Sequence, residues 1–274
     1  NLDDAQKALE RKPKLLAVGY ASNSLGTINP VKKIIDMAHE AGALVYIDAV
    51  QYAPHGPIDV QKLDCDFLIS SAYKFFGTHS AILYGKRNLL EKLFAYKVRP
   101  ATNHLPGKFE TGTQNHEGIA GVLGAIEYFE WVGREFGSEF VAGLAGENYR
   151  GRQLELKKAM SAIHAYEIEL SKALLSALND VPGLRLYGLN DVRRLDERVA
   201  TFSFRLNNMH PRVVAEKLAQ EGIFAWDGNY YALNVSERLG VEEQGGMVRV
   251  GAAHYNTLEE VARLKDALIK IAAG

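Results

Sequence analysis

The 274 residues carry 32 Lys+Arg against 33 Asp+Glu, a net charge of −1, and are 47% hydrophobic and 24% charged. This is ordinary globular usage: it excludes intrinsic disorder for most of the chain, and it supplies no polybasic face for a nucleic-acid backbone or an anionic membrane. The longest apolar stretches, residues 15–21 and 43–50, fall far short of the ~20 residues of a spanning helix, and Asp48 interrupts the second. The single cysteine, Cys65, has no internal disulfide partner, which fits a reducing compartment, and the expected location is the cytoplasm. Residues 1–4 lack the basic and apolar regions of a signal peptide and open directly on a helical pattern, so a further N-terminal portion is expected.

In chain order, Leu2, Ala5 and Leu9 stand at helical spacing, Pro13 closes that segment, and residues 15–20 read as a continuous buried strand. A loop over residues 22–30 leads to a helix marked by Val31, Ile34, Ile35 and Ala38 and stopped at Gly42. Residues 43–47 form the next buried strand, followed by strands at 67–70 and 81–84. Strand, helix, strand in this order predicts an α/β layer, a mostly parallel sheet with helices on both faces, whose ligands lie beyond the strand C-termini. Helical periodicity returns at 118–131 and over a long stretch at 151–178. Beyond Pro182 and Gly183, short strands at 184–187, 199–206, 223–226 and 247–251 alternate with helices at 211–220 and 258–272, the pattern of a small α+β domain. Thr257 and Glu260 open the last helix at capping-box spacing. The expected division is residues 1–150 as a large α/β domain, 151–180 as a connecting long helix and 181–274 as the small C-terminal α+β domain.

The Gly-rich dinucleotide and phosphate-loop signatures are absent, and the eight histidines form no metal-ligand spacing, so no metal site is expected. What stands out is a strand ending in Asp48, with Gln51 three residues on, and a later strand running into Ser70, Ser71, Ala72, Tyr73, Lys74, Phe75, Phe76 and Gly77. An Asp at the C-terminal end of a buried strand can hold a heteroaromatic nitrogen protonated, and a Lys in an apolar loop is a usable amine nucleophile. Together these are the two parts that a pyridoxal phosphate site needs. Taken singly, each has a plainer reading: Asp48 as a loop cap, Lys74 as a solvated amine.

The same segments carry a resemblance. Ser22, Asn23, Leu25, Gly26, Thr27 and Asn29-Pro30 are followed in order by Tyr46-Ile47-Asp48 with Gln51, by Asp64 to Phe67 leading into Ser71 and Lys74, and by Ile82 to Gly85. Phe109-Glu110-Thr111-Gly112-Thr113 comes next, then Arg249 and Tyr255-Asn256-Thr257. In this series the chain resembles the class V, cysteine-desulfurase-like pyridoxal-phosphate enzymes of fold type I, with the large domain incomplete. The resemblance implies that Lys74 carries pyridoxal 5'-phosphate as an imine and that Asp48 pairs with its pyridine nitrogen. It also implies that Gln51 and Asn23 bond the ring hydroxyl, and that Ser71 and Tyr73 hold the phosphate, Tyr73 standing where desulfurases usually have His. Thr113 would reach the phosphate of a neighbouring subunit, which implies a homodimer with shared sites. Arg249, in an otherwise apolar strand, would bind a substrate carboxylate bidentately, a role that also gives a physical reason for a guanidinium there. The plainer reading of Arg249 is a solvent-facing arginine on an edge strand.

Two departures qualify the resemblance. Desulfurases place a mobile catalytic cysteine in the loop after the small-domain strand, whereas here that loop reads Ala225, Trp226, Asp227, Gly228, Asn229, Tyr230, Tyr231. Cys65, just before the strand leading to Lys74, is expected to be a small buried residue. Family members also begin well upstream, with a phosphate turn and the ring-stacking aromatic residue in that block. His55, His79, His104 and His116 are expected in loops near the site; Arg193, Arg194, Asp196, Glu197 and Arg198 read as a solvated charge run; Tyr230 and Tyr231 line a substrate entrance or pack the loop. The expected function is a pyridoxal-phosphate enzyme acting on an amino-acid-like small molecule through Cα deprotonation by Lys74, of aminotransferase, epimerase or C–S lyase type, with no nucleic-acid or membrane partner. The alternative is a non-catalytic fragment or scaffold that retains part of the cofactor site.

Overall fold

In the computed structural model, which describes residues 2–274, Pro13 separates helix α1 (Leu2–Leu9) from strand β1 (Leu15–Gly19). Asn1, the first residue of the expected 1–150 domain, lies outside the described residues. Helix α2 (Val31–Glu40) buries Val31, Ile34, Ile35 and Ala38, one face of a 3.6-residue period, and Gly42 leaves it with φ +78°, a left-handed conformation open to glycine. Strand β2 (Leu44–Asp48) follows; its Val45 and Ile47 are wholly buried and belong to one cluster with Ile35 and Ala38. Asp59 caps the short helix α3 (Val60–Leu63) by accepting from the amides of Gln61 and Lys62, and β3 (Phe67–Ser71) and β4 (Ala81–Gly85) complete a sheet ordered β1-β2-β3-β4. The first three strands are parallel and β4 returns antiparallel to β3. Helices α4 (Arg87–Lys92) and α5 (His116–Phe136) follow, the latter capped by the Asn115 side chain.

The chain divides into two compact units, one comprising the described residues up to Tyr20 together with Pro30–Ala159, the other Ala21–Asn29 with Met160–Gly274. The long helix α6 (Gly151–Asn179) starts in the first and continues in the second. In the second unit β5 (Leu184–Tyr187), β6 (Thr201–Leu206), β7 (Trp226–Gly228) and β8 (Met247–Gly251) form an antiparallel sheet ordered β5-β6-β8-β7. Helices α7 (Pro211–Gln220), α8 (Leu233–Arg238) and α9 (Leu258–Ala273) lie between and after these strands. Phe202, Phe204 and Leu206 of β6 are fully buried in one core with Leu170 and Leu178 of α6, Val214 and Leu218 of α7, and Leu264 and Leu268 of α9. The capping box of α9 is present: Thr257 accepts from the Glu260 amide and the Glu260 carboxylate accepts from the Thr257 amide.

Several expectations shift. The strand expected at 223–226 is Trp226–Gly228, because pairing with β8 sets Trp226 against Arg249 and Gly228 against Met247, leaving Phe224 outside the ladder and 92% exposed. The helix expected at 118–131 extends to His116–Phe136, its start fixed by the Asn115 cap. Residues 21–29 group with the C-terminal unit. Val199 and Ser203 donate to the carbonyls of Gly26 and Ser24, the latter at 2.5 Å. Gly26, at φ +76°, leaves no room for a side chain: an added Cβ would lie 2.4 Å from the Thr201 carbonyl. Arg198 corrects the reading of a solvated charge run. It is 3% exposed, donates to the carbonyls of Leu189, Leu25, Val199 and Thr201, and packs on the Phe202 ring, and burial lowers its pKa to about 10. Arg193 and Arg194 do lie at the surface, paired with Asp191 and Glu197. Among the described residues no helix is long and apolar enough to cross a membrane, and no group of His, Cys, Asp and Glu could hold a metal ion.

Candidate active site

Parallel strands bring their C-terminal ends to one edge of a sheet. In the first unit Asp48 ends β2, opposite Gly19 of β1 and Ile69 of β3, and Ser71 ends β3. The Asp48 side chain is exposed, and its Oδ1 accepts from the Val50 amide at 3.0 Å, which turns the chain into the loop bearing Gln51. At the same strand ends Tyr20, whose amide donates to the Asp48 carbonyl, stacks on Tyr52 with ring centroids 3.9 Å apart. Burial raises the pKa of both phenols; for Tyr20 the hydrogen bond with Tyr52 works the other way.

Lys74 lies in a single 3-10 turn, Ala72–Phe75, that leaves β3 and ends at Phe76 in a left-handed conformation, φ +69°. The turn is tied back by Ala72 donating to Ser80 and Gly77 donating to Ala72. Thr78, four residues after Lys74, donates to the Gly118 carbonyl at the start of α5 and occupies the space that a side chain at Gly121 would need. Tyr73 is half exposed and stacks on His79 at 5.2 Å, with the Lys74 ammonium 5.6 Å from the Tyr73 ring centroid. Thus Asp48 and Ser71 end two adjacent parallel strands, and Gln51, Tyr73 and Lys74 follow within three residues of those ends. Thr113 and His104 are exposed in the segment before α5 and His55 is buried, whereas His116, expected in a loop, is the exposed first residue of α5, because the Asn115 side chain caps the helix there.

Cys65 is fully buried at the opposite, N-terminal end of β3, and burial pushes its thiol up to about 11. Beside it Asp66 is an anchor of the sheet rather than part of the site: it accepts from His39 at 2.8 Å and from the Val45 amide at 2.7 Å, and pairs with Lys86 at 3.1 Å.

The second unit holds Asn23 and Arg249. Arg249, in β8, donates from Nη1 to the Asn23 carbonyl at 2.7 Å, and its guanidinium carbon lies 4.4 Å from the Tyr230 ring centroid. Asn23 donates from Nδ2 to the Tyr230 carbonyl at 2.8 Å. Burial lowers the Arg249 pKa and raises that of Tyr230. Tyr230 is the residue of this cluster to which sequence reasoning gave no definite role. Gly228 and Asn229 before it are turn residues, the one signal for a tight loop there.

A profile of the family described as Aminotransferase class-V matches residues 1–139 and 133–264. The chain belongs to this family. Among class-V relatives, a cysteine desulfurase of Pectobacterium atrosepticum is 35% identical over 99% of this chain and 62% of its own length, and one of Synechococcus elongatus is 33% identical over 100% and 40%. The apo cysteine desulfurase of Thermococcus onnurineus superposes with a TM-score of 0.79 at 27% identity, covering all of this chain and 63% of its own. The cysteine desulfurase CsdA of Escherichia coli, in its S-sulfonic acid form, gives 0.73 at 28% identity, covering 95% of this chain and 59% of its own. The chain therefore spans about two fifths to three fifths of the length of these relatives.

The class-V family uses pyridoxal 5'-phosphate. The first unit's donor set fits that group: an exposed carboxylate, a lysine amine and a serine hydroxyl follow adjacent strand ends on one edge of the sheet.

Proposed function

We propose that the protein to which this chain belongs is a pyridoxal-phosphate-dependent enzyme acting on a small amino-acid-like substrate. The observation that carries this reading is that Asp48 at the end of β2 and Lys74 just beyond the end of β3 follow the same direction of two neighbouring parallel strands. Lys74 would hold the cofactor and, once released from it, move the proton at the substrate Cα. Asp48 would face the pyridine nitrogen and keep it protonated, Gln51 and Asn23 would bond the ring hydroxyl, and Ser71 and Tyr73 would hold the phosphate. Thr113 would serve the phosphate of a second copy in a homodimer, and the expected location is the cytoplasm. Arg249 would bind the substrate carboxylate. When bound, pyridoxal phosphate supplies an electron sink for the pair left at Cα.

The outcome is an aminotransferase, epimerase or C–S lyase reaction in which no thiol of this chain accepts substrate sulfur. Cys65 is sealed at the far end of β3 with its thiol pKa raised, whereas a sulfur-accepting cysteine needs exposure and thiolate character. Tyr230 and Tyr231 occupy the loop where desulfurases carry that cysteine.

One experiment addresses both parts. The full-length protein, loaded with pyridoxal phosphate, is reduced with borohydride and mapped by peptide mass, and a second sample is incubated with cysteine and mapped for persulfide. The adduct is expected on Lys74, and Lys74→Ala is expected to remove it and lower activity by about 10²–10⁴-fold. Label on another lysine, or none at saturating cofactor, overturns the assignment. A Cys65 persulfide that turns over to an acceptor overturns the exclusion of sulfur transfer.

A further inference from the structure

Two consecutive tyrosines, Tyr230 and Tyr231, have φ of +57° and +61°, the left-handed region that bulky side chains rarely enter. Such backbone persists where surrounding contacts over-determine it, and those contacts are present. The Tyr230 carbonyl accepts from Asn23, the Asn229 carboxamide oxygen accepts from the Tyr231 amide at 3.1 Å, and Asn229 Nδ2 donates to Glu242 at 3.0 Å. The Tyr230 hydroxyl donates to the Met247 carbonyl, and its ring is buried with Tyr187, Val241 and Met247. The same turn leaves Tyr231 fully exposed, so the strained conformation sends one ring inward and the next outward.

The inward ring lies against Arg249. Guanidinium and ring are 4.4 Å apart, Arg249 Nη1 donates to the Asn23 carbonyl, and Asn23 Nδ2 donates to the Tyr230 carbonyl, which closes a three-residue circuit. A guanidinium held on an aromatic face has its plane fixed, and bidentate recognition of a carboxylate depends on that plane. An arginine on a flexible stem without this platform loses more freedom on binding.

We propose that Tyr230 is a positioning residue that holds the Arg249 guanidinium in the orientation that takes a ligand carboxylate, and that the left-handed turn exists to keep its ring there. The proposal rests on the reading of Arg249 as the carboxylate group of the site.

The test uses the full-length protein loaded with pyridoxal phosphate and two reagents, aminooxyacetate and O-methylhydroxylamine. Both attack the bound cofactor through the same aminooxy nitrogen, and only the first carries a carboxylate. Their relative apparent affinities, read from the cofactor absorbance, report carboxylate recognition whatever the natural substrate. Tyr230→Leu is expected to reduce the preference for aminooxyacetate about tenfold, and Tyr230→Phe to keep it within about twofold. The second readout needs no cofactor: the Arg249 Nε–H resonance is expected to be displaced by the Tyr230 ring current in the wild type and in Tyr230→Phe, and to return to an ordinary arginine position in Tyr230→Leu. A preference unchanged in Tyr230→Leu overturns the proposal. An undisplaced Arg249 resonance in the wild type overturns it without any variant, which keeps the test decisive should Tyr230→Leu fail to fold. Arg249→Leu separates the two levels: if it too leaves the preference intact, the carboxylate reading of Arg249 fails. If it abolishes the preference while Tyr230→Leu does not, only the role of Tyr230 fails.

Discussion

The central strands of the C-terminal sheet, β6 and β8, are enclosed by that unit's own core, whereas both edge strands of the first unit's sheet, β1 and β4, keep apolar positions open. Phe202, Phe204 and Leu206 on β6 meet α6, α7 and α9 and are wholly buried. On β4 of the first unit Ile82 and Leu83 remain 42% and 53% exposed, and Leu15 on β1 is 47% exposed. Apolar strand positions left open to this extent mark surface that gains by being covered. The lesson is that the groups proposed for chemistry and those proposed for carboxylate binding lie on scaffolds of unequal closure. The lysine side depends on strand ends in a sheet with exposed apolar margins, and the arginine side on a dense antiparallel core.

Three substitutions can break this comparison or sharpen it. The larger effect is expected from Phe202→Ala, which empties a fully enclosed site and should cost about 3–5 kcal/mol, whereas Leu83→Ala should stay within about 0.5 kcal/mol. Urea unfolding followed by segment-resolved hydrogen exchange checks this; equal costs at the two positions would deny the difference in closure. A smaller effect is expected from Asp66→Asn, about 1–3 kcal/mol, localised to the first unit, because it weakens the buried acceptor of His39, the Val45 amide and Lys86. Burial alone would raise the Asp66 pKa, but hydrogen bonds from His39, Val45 and Lys86 outweigh it and hold the carboxyl below its ordinary value. A depressed folded-state pKa means that this stabilisation is complete above the unfolded value of about 3.9 and is lost as pH falls through the folded value. The gap between wild type and Asp66→Asn should therefore narrow below about pH 4 in exchange rates of first-unit amides. A gap that widens there would refute the assignment.

The strands and helices of the first unit were legible because buried parallel strands are continuous apolar runs and the helices between them keep a clean 3.6-residue period, as in residues 31–48. The end of β2 at Asp48 and the strand leading to Lys74 could be placed from this pattern alone. The three-residue β7 could not, since pairing with β8 rather than local preference sets its register. Arg198 was misread because its neighbours are solvated charges, and only tertiary structure surrounds it with carbonyls. The Tyr230 platform was hidden for a similar reason: tyrosine carries no preference for positive φ, and the Asn23 contact that stabilises the turn comes from 207 residues away.

The grouping of residues 21–29 with the C-terminal unit also bears on how the molecule can be taken apart. The chain passes from one unit to the other between residues 20 and 21, returns between 29 and 30, and passes again between 159 and 160. No single cut yields both units whole. A fragment beginning at Met160 would leave Ser203 and Val199 without the carbonyls of Ser24 and Gly26, and Arg249 without that of Asn23. Recombination that exchanged the C-terminal unit as one contiguous block would replace the arginine but keep the resident loop, so modular transfer of this part of the protein requires two splices, one of them only nine residues long.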